Sequence, residues 1–148
     1  MDLLHLAGAI MKNTFSSAIA KLTGKIRAKE EAFIREFLTD LSVDLIHATP
    51  VDTGRMISAW WPSVDVPMEG PEVMMSGADK SGAPSIARVM AVTPTIAVGQ
   101  SYFITNSQPY RVYVNMGTAR FPPRMFTNRT ATRASILASA AAAKVRKK

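Results

Sequence analysis

The stretch TPVDTGRMISAWW, Thr49 to Trp61, puts a helix stop, a glycine turn and an aromatic run into thirteen residues. Pro50 has no N–H to continue a helix and disfavours the α conformation at Thr49, so a helix arriving from the N-terminal side ends there. Asp52 is suited to cap backbone N–H groups, and Gly54 accepts positive φ without steric cost, so VDTG predicts a specified turn. Asp52 and Arg55 are read as turn cap and surface ion pair. From Arg55 the residues alternate, with Met56, Ser58 and Trp60 on one side and Ile57, Ala59 and Trp61 on the other. That pattern predicts a strand apolar on both faces.

Upstream, Phe33, Ile34, Phe37, Leu38, Leu41, Leu45 and Ile46 form an apolar stripe at helical spacing from Arg27 onward, which predicts a long helix lying on the sheet. His47 falls in its last turn, where the helix dipole favours a cation. A weaker helical pattern spans Asn13 to Leu22, and Gly24 is expected to break it, leaving residues 1–26 as a helical extension. Leu3 to Met11 is apolar but short and follows Asp2, so neither a signal peptide nor a membrane span is expected.

Downstream, residues 62–84 change to Pro, Gly, Ser and Asp with Val64, Val66, Met68, Val73, Met74 and Met75 interspersed. Two readings stand: an arm ordered against a neighbouring subunit, with Met68, Met74 and Met75 as contacts, or a hairpin of Val64–Met68 with Glu72–Ser76. Ser85–Met90 suits a short helix. Thr93–Val98 and Tyr102–Thr105 read as two strands of an antiparallel hairpin turned at Gly99. Tyr110–Asn115 fits a strand or a helix. Phe121–Phe126 leads into an Ala-rich helix over Thr127–Val145, ending in a basic tip at 144–148. The sum is one α+β domain over 1–148, a small antiparallel sheet packed by a long N-terminal helix and a C-terminal helix, with a long loop or arm.

The composition supports one domain with a core that needs no staple, since 47% of 148 residues are hydrophobic. Cys is absent, which excludes disulfides, thiolate nucleophiles and Cys-based zinc sites. The two histidines, His5 and His47, are remote in sequence and lack ligand-like neighbours, so neither metal binding nor acid–base work is expected of them. The net charge of +7 is concentrated at one end: residues 100–148 hold nine basic side chains and no acidic one. Such asymmetry points to an acidic protein surface or to phosphate. Arg124, Arg129 and Arg133 are the candidate contacts.

The opening stretch resembles the TPVDTG-x-L-x-x-S-W signature of tailed-phage neck proteins, the head-to-tail connector or tail-completion family. Here Pro50, Asp52, Thr53, Gly54 and Trp60 stand at its positions, with Met56 where Leu is usual. A second match, YFITNSQPYRVYVNMGT, is similar to the family's strand ending in Asn, then Pro-Tyr, then an acidic-aromatic-Gly-Thr ending. Asn106, Pro109, Tyr110 and Gly117 carry it, while Arg111, Asn115 and Met116 depart from it. The resemblance covers about Ala32 to Arg133 and implies that Tyr110–Asn115 is a helix.

What the resemblance implies is a structural virion protein, part of a homo-oligomeric and hexameric neck ring, joining connector or stopper proteins to the tail terminator. It would be found in the virion neck and, during assembly, in the host cytoplasm. Non-specific contact with DNA in the lumen is also implied. The alternative from composition is a small basic nucleic-acid-binding protein, with Tyr and Phe interleaved among Arg. No phosphate loop, HExxH or nucleophile elbow is present, so enzymatic activity and cofactors are not expected.

Overall fold

The computed structural model describes residues 3–68 and 78–148. Helix α1 runs over Leu3–Ala48, β1 over Trp60–Val64, α2 over Ala83–Val92, β2 over Tyr102–Asn106, α3 over Arg111–Met116 and α4 over Phe126–Arg146. The class is α+β: one two-stranded antiparallel sheet flanked by long N- and C-terminal helices.

α1 is a single helix of 46 residues, about 70 Å long at 1.5 Å per residue. Gly24 does not interrupt it. Glycine inside a helix costs about 1 kcal/mol relative to Ala, which neighbours such as Lys21, Leu22, Lys25 and Ile26 tolerate when no proline follows. The helix stops at Ala48, one residue before the Thr49-Pro50 step that predicts its end. Its chief packing partner is α4, which runs back along it, rather than the sheet. Three side chains of α4 set this antiparallel pairing. Thr130 donates to Asp44 at 3.1 Å, Arg133 pairs with Asp44 at 2.6 Å, and Lys144 reaches Asp40 at 2.8 Å and Glu36 at 2.9 Å. The basic end is therefore pinned to α1 rather than loose, with Lys148 also 3.8 Å from Glu36.

The strand after the glycine turn begins later than the alternation predicts. Arg55–Ser58 coil into a helical turn, with the Ser58 N–H on Gly54 O at 3.2 Å and the Ala59 N–H on Met56 O at 3.1 Å. Extended pairing starts at Trp60. β1 then pairs with β2, Trp60 opposite Asn106 and Val64 opposite Tyr102. Pro62 lies within β1, where a two-stranded sheet leaves an edge that needs no N–H. Asp65, at φ 64°, closes the far end: its carboxylate accepts from Ser101 N at 3.0 Å and Gln100 Nε2 at 2.9 Å.

Consequently the Thr93–Val98 hairpin does not form. Thr93–Thr95 is a 3-10 turn continuing from α2. The Thr93 N–H bonds Val89 O and the Ile96 N–H bonds Thr93 O at 3.3 Å, continuing the helical ladder, while the Thr93 and Thr95 hydroxyls also donate back to Val89 O at 3.0 Å and Val92 O at 2.7 Å.

The core is small and lies where α1 ends. Leu45, Ile46, Met56, Ile57, Trp60, Val89 and Phe126 form it, with Ile86, Ile104 and Val114 against its edge. Trp60 meets Phe126 edge-on at 6.3 Å between centroids. Phe33 and Phe37 lie away from this cluster, half-buried and stacked on each other at 6.1 Å, so the shared core of Trp60 is with the last turn of α1 and not its middle.

Candidate functional site

Beneath the surface, the two sequence motifs are joined by hydrogen bonds. The indole of Trp60 donates to Thr49 Oγ1 at 2.9 Å, and that hydroxyl donates to Leu45 O at 2.9 Å, locking the helix stop to β1. Asn106, at the end of β2, donates to Met56 O at 2.9 Å and accepts from Gln108 N at 3.0 Å. The Ser107 N–H reaches Ala59 O at 3.1 Å. All these groups are buried, where an unpaired polar atom costs about 1–3 kcal/mol, so the Asn and Thr of the motifs are placed by satisfied bonding.

The glycines fix the backbone over this layer. Gly54 has φ 89°, and a Cβ there would sit 2.8 Å from Asp79 C and Lys80 N. The segment it abuts is held by Ser58, whose hydroxyl donates to Asp79 O at 2.8 Å. Gly117 has φ 79°, and its Cβ would meet Pro123 N at 2.7 Å. α3 is thereby folded tightly onto the prolines preceding α4. Arg124 N donates to Val114 O at 3.1 Å and Met125 N to Asn115 O at 2.9 Å. Asn115, where the resembled motif has an acid, accepts the Thr127 N–H of α4's first turn at 3.2 Å.

On the surface above, the motifs meet in one groove of about 620 Å³. It is lined by Pro50, Val51, Asp52, Thr53, Gly54, Arg55 and Met56 together with Tyr110, Tyr113, Val114, Thr118, Phe121, Pro122 and Arg124. Some of its apolar side chains are open to solvent, Tyr113 at 64% and Phe121 at 69% of full exposure, while Met56 at its floor belongs to the core. Burial pushes the Tyr110 phenol above its ordinary range, Asp52 adding to the effect and Arg55 opposing it. Among the described residues Asp52 forms no ion pair with Arg55; the turn is capped by Thr53, whose Oγ1 accepts from Arg55 N at 3.4 Å.

The remaining expected contacts are dispersed. Pro109 is exposed at the turn before α3, and Met68 is exposed at the end of β1's loop. Met74 and Met75 lie outside the described residues, as does most of the Val64–Ser76 hairpin alternative. Arg124 is on the groove wall and Arg129 is exposed on α4, but Arg133 is taken up by Asp44. Sequence reading missed three contributors. Val51, Tyr113 and Phe121 sit inside or beside the motifs, and only the placement of α3 reveals that they face one side together. Arg88 is the other omission: it stacks 3.9 Å over the Trp61 ring while its Nη1 donates to Trp60 O at 2.7 Å and Ser58 O at 3.0 Å, bracing β1 from α2.

Chemically the groove offers apolar surface, two guanidinium groups, a carboxylate and phenols, a set that grips a side chain or segment. Among the described residues no three His, Cys, Asp or Glu side chains converge to hold a metal ion, and no helix is long and apolar enough to cross a membrane. No protein-family model, curated protein or solved structure matches the chain.

Proposed function

We propose that the chain is a structural virion protein of a tailed bacteriophage, one copy of a neck ring that joins the head connector to the tail. The observation that carries this reading is the convergence of its two resembled motifs. Pro50–Gly54 and, from the second motif, Tyr110, Tyr113, Val114 and Thr118, more than fifty residues apart in sequence, together line one open groove. A groove of this kind, with Tyr, Phe and Arg at its lip, has the composition of protein-contact surfaces. In this reading the Trp60 and Asn106 layer is the frame, and the groove takes a segment of a neighbouring ring copy or of a connector or tail-terminator protein.

The nucleic-acid alternative loses part of its support. Arg133, Lys144 and Lys148, three of the nine basic residues in the last 49, pair with α1 carboxylates, so part of the charge asymmetry is answered within the fold.

The test is joining of isolated heads and tails by added protein. Tyr113→Glu with Phe121→Glu, both at exposed positions, is expected to fold as the wild type and leave heads and tails unjoined. Arg124→Glu with Arg129→Glu should impair joining less. Wild-type joining by the Tyr113/Phe121 variant, or tight sequence-selective DNA binding by the wild type at physiological salt, would defeat the proposal.

A further inference from the structure

The sheet has one edge that nothing in the fold occupies. Asp65 N donates to Ser101 O at 2.8 Å and Ser107 N to Ala59 O at 3.1 Å, just beyond either end of the β1–β2 ladder. Hydrogen-bonded and non-bonded pairs alternate along an antiparallel ladder, so Phe103 and Thr105 turn their backbone N–H and C=O towards β1. The same alternation turns those of Ile104 and Asn106 outward. Pro62, opposite Ile104, agrees with it, since β1 needs no N–H at that position. The outer edge of β1 is occupied at Trp60, whose N–H reaches Ser85 Oγ at 3.1 Å and whose carbonyl accepts from Arg88 Nη1 at 2.7 Å. Among the described residues no group pairs with the outward backbone of Ile104 or Asn106.

That free edge lies in a second groove, of about 430 Å³, separated from the first by α3. Tyr113 and Val114 line the first, whereas Val112 and Met116 line the second together with Ile104, Asn106 and the core ring of Phe126. Val112 and Met116, one helical turn apart, are 55% and 63% exposed. An unpaired backbone edge is a template for another strand, and a strand laid there turns every second side chain to the side on which Ile104 packs against the core. The lining there is apolar. Its only charged residue is Arg111, which donates to Gln108 O at 2.9 Å and forms no ion pair among the described residues. We propose that β2 accepts an added strand: an extended segment of a different protein, apolar at alternate positions, with a carboxylate for Arg111. Main-chain bonds to the edge supply the grip and the alternate side chains the selectivity. Among the described residues a second copy has only this same edge to offer, and with no carboxylate lining it would leave Arg111 unanswered. The inference uses a different groove from the neck reading and stands or falls without it.

The test uses the full chain and the synthetic peptide Glu-Val-Thr-Val-Thr-Val-Glu, blocked at both ends. Saturable binding is expected, with hydrogen exchange of the Ile104 and Asn106 amides slowed at least about tenfold, while the Phe103 and Thr105 amides, already bonded to β1, change little. Alternate amides of a strand point to opposite edges, so N-methylation of the valines and N-methylation of the threonines should differ: one abolishes binding and the other leaves it. Val112→Glu with Met116→Glu, both at exposed positions, should weaken binding at least about tenfold with circular dichroism and melting unchanged. Arg111→Gln should erase the preference for this peptide over the one with Gln in place of Glu. No saturable binding below about 1 mM overturns the proposal, as does equal loss from both methylated peptides. Binding without protection at Ile104, or indifferent to the α3 variants, overturns it too. So does Ile104 protection in the chain alone that grows with protein concentration, which would make a second copy the occupant.

Discussion

The two halves of α1 carry the same kind of apolar repeat and meet opposite fates. Phe15, Ile19, Leu22 and Ile26 are exposed, whereas Leu45 and Ile46, on the same uninterrupted helix, are buried. Helical spacing thus establishes that a segment can be an amphipathic helix, but not what it faces. In the lower half the answer is supplied by α4. Its small Ala141 is fully buried, and its Arg133 and Lys144 meet three carboxylates of α1. In the upper half no element of the described chain comes alongside. Most stability of a helix in a protein comes from packing rather than propensity, so the two halves should respond very differently to the same substitution.

The largest effects belong to the buried end. Trp60→Ala removes a ring packed on Phe126 and the indole bond to Thr49, and should cost about 3–5 kcal/mol. Ile46→Ala, at a position with no exposure, should cost about 2–5 kcal/mol. Denaturant midpoints at constant m-value would measure both. Midpoints that barely move would mean that the core around the helix end contributes little, and the contrast between the halves would collapse.

Gly54→Val should cost about 1–3 kcal/mol, because a β-branched residue is forced to positive φ with its Cβ against the backbone of Asp79 and Lys80. Thermal melting equal to the wild type would show that the turn can rearrange. This glycine, the helix stop before Pro50 and the terminal helix were legible in the sequence because each rests on the backbone preferences of one or two residues. The pairing of β1 with β2 was not, since it depends on segments about forty residues apart, and Thr93–Thr95 was misjudged because the backbone ladder of α2 runs on through Thr93 rather than following β propensity. The groove was half legible. Its motif residues stand out as turn and cap chemistry, but Tyr113 and Phe121 share a surface only after Gly117 folds α3 onto Pro123.

A smaller effect marks the seam where the packed half of α1 gives way. Hydrogen bonds that Lys144 donates to Asp40 and then Glu36 raise its pKa above the ordinary lysine value. A raised folded-state pKa means that the cation is favoured by folding, so its contribution is fully present below the unfolded value and is lost as pH climbs through the folded one. The pair is solvent-exposed, so its contribution is under about 1 kcal/mol. Lys144→Met should therefore lower stability slightly at neutral pH and flatten the loss at strongly alkaline pH. A variant with an unchanged alkaline limb would remove Lys144 as the clamp on α4.

The smallest effect is the sharpest test of the comparison. Ile26→Ala makes the same chemical change as Ile46→Ala on the same helix, twenty positions earlier, but at a side chain 52% exposed. It deletes little buried area and leaves no cavity, while alanine is the better helix former by a few tenths of a kcal/mol. Stability should stay within about 0.5 kcal/mol of the wild type, with any change favourable. Hydrogen exchange should likewise show amides around Ile26 opening far more readily than those around Ile46 in both proteins, since local opening there breaks no tertiary packing. A loss approaching that of Ile46→Ala would mean that the upper half is already covered in solution by the chain or by a second copy, and the helix would then be one packed unit rather than a packed half and an exposed half.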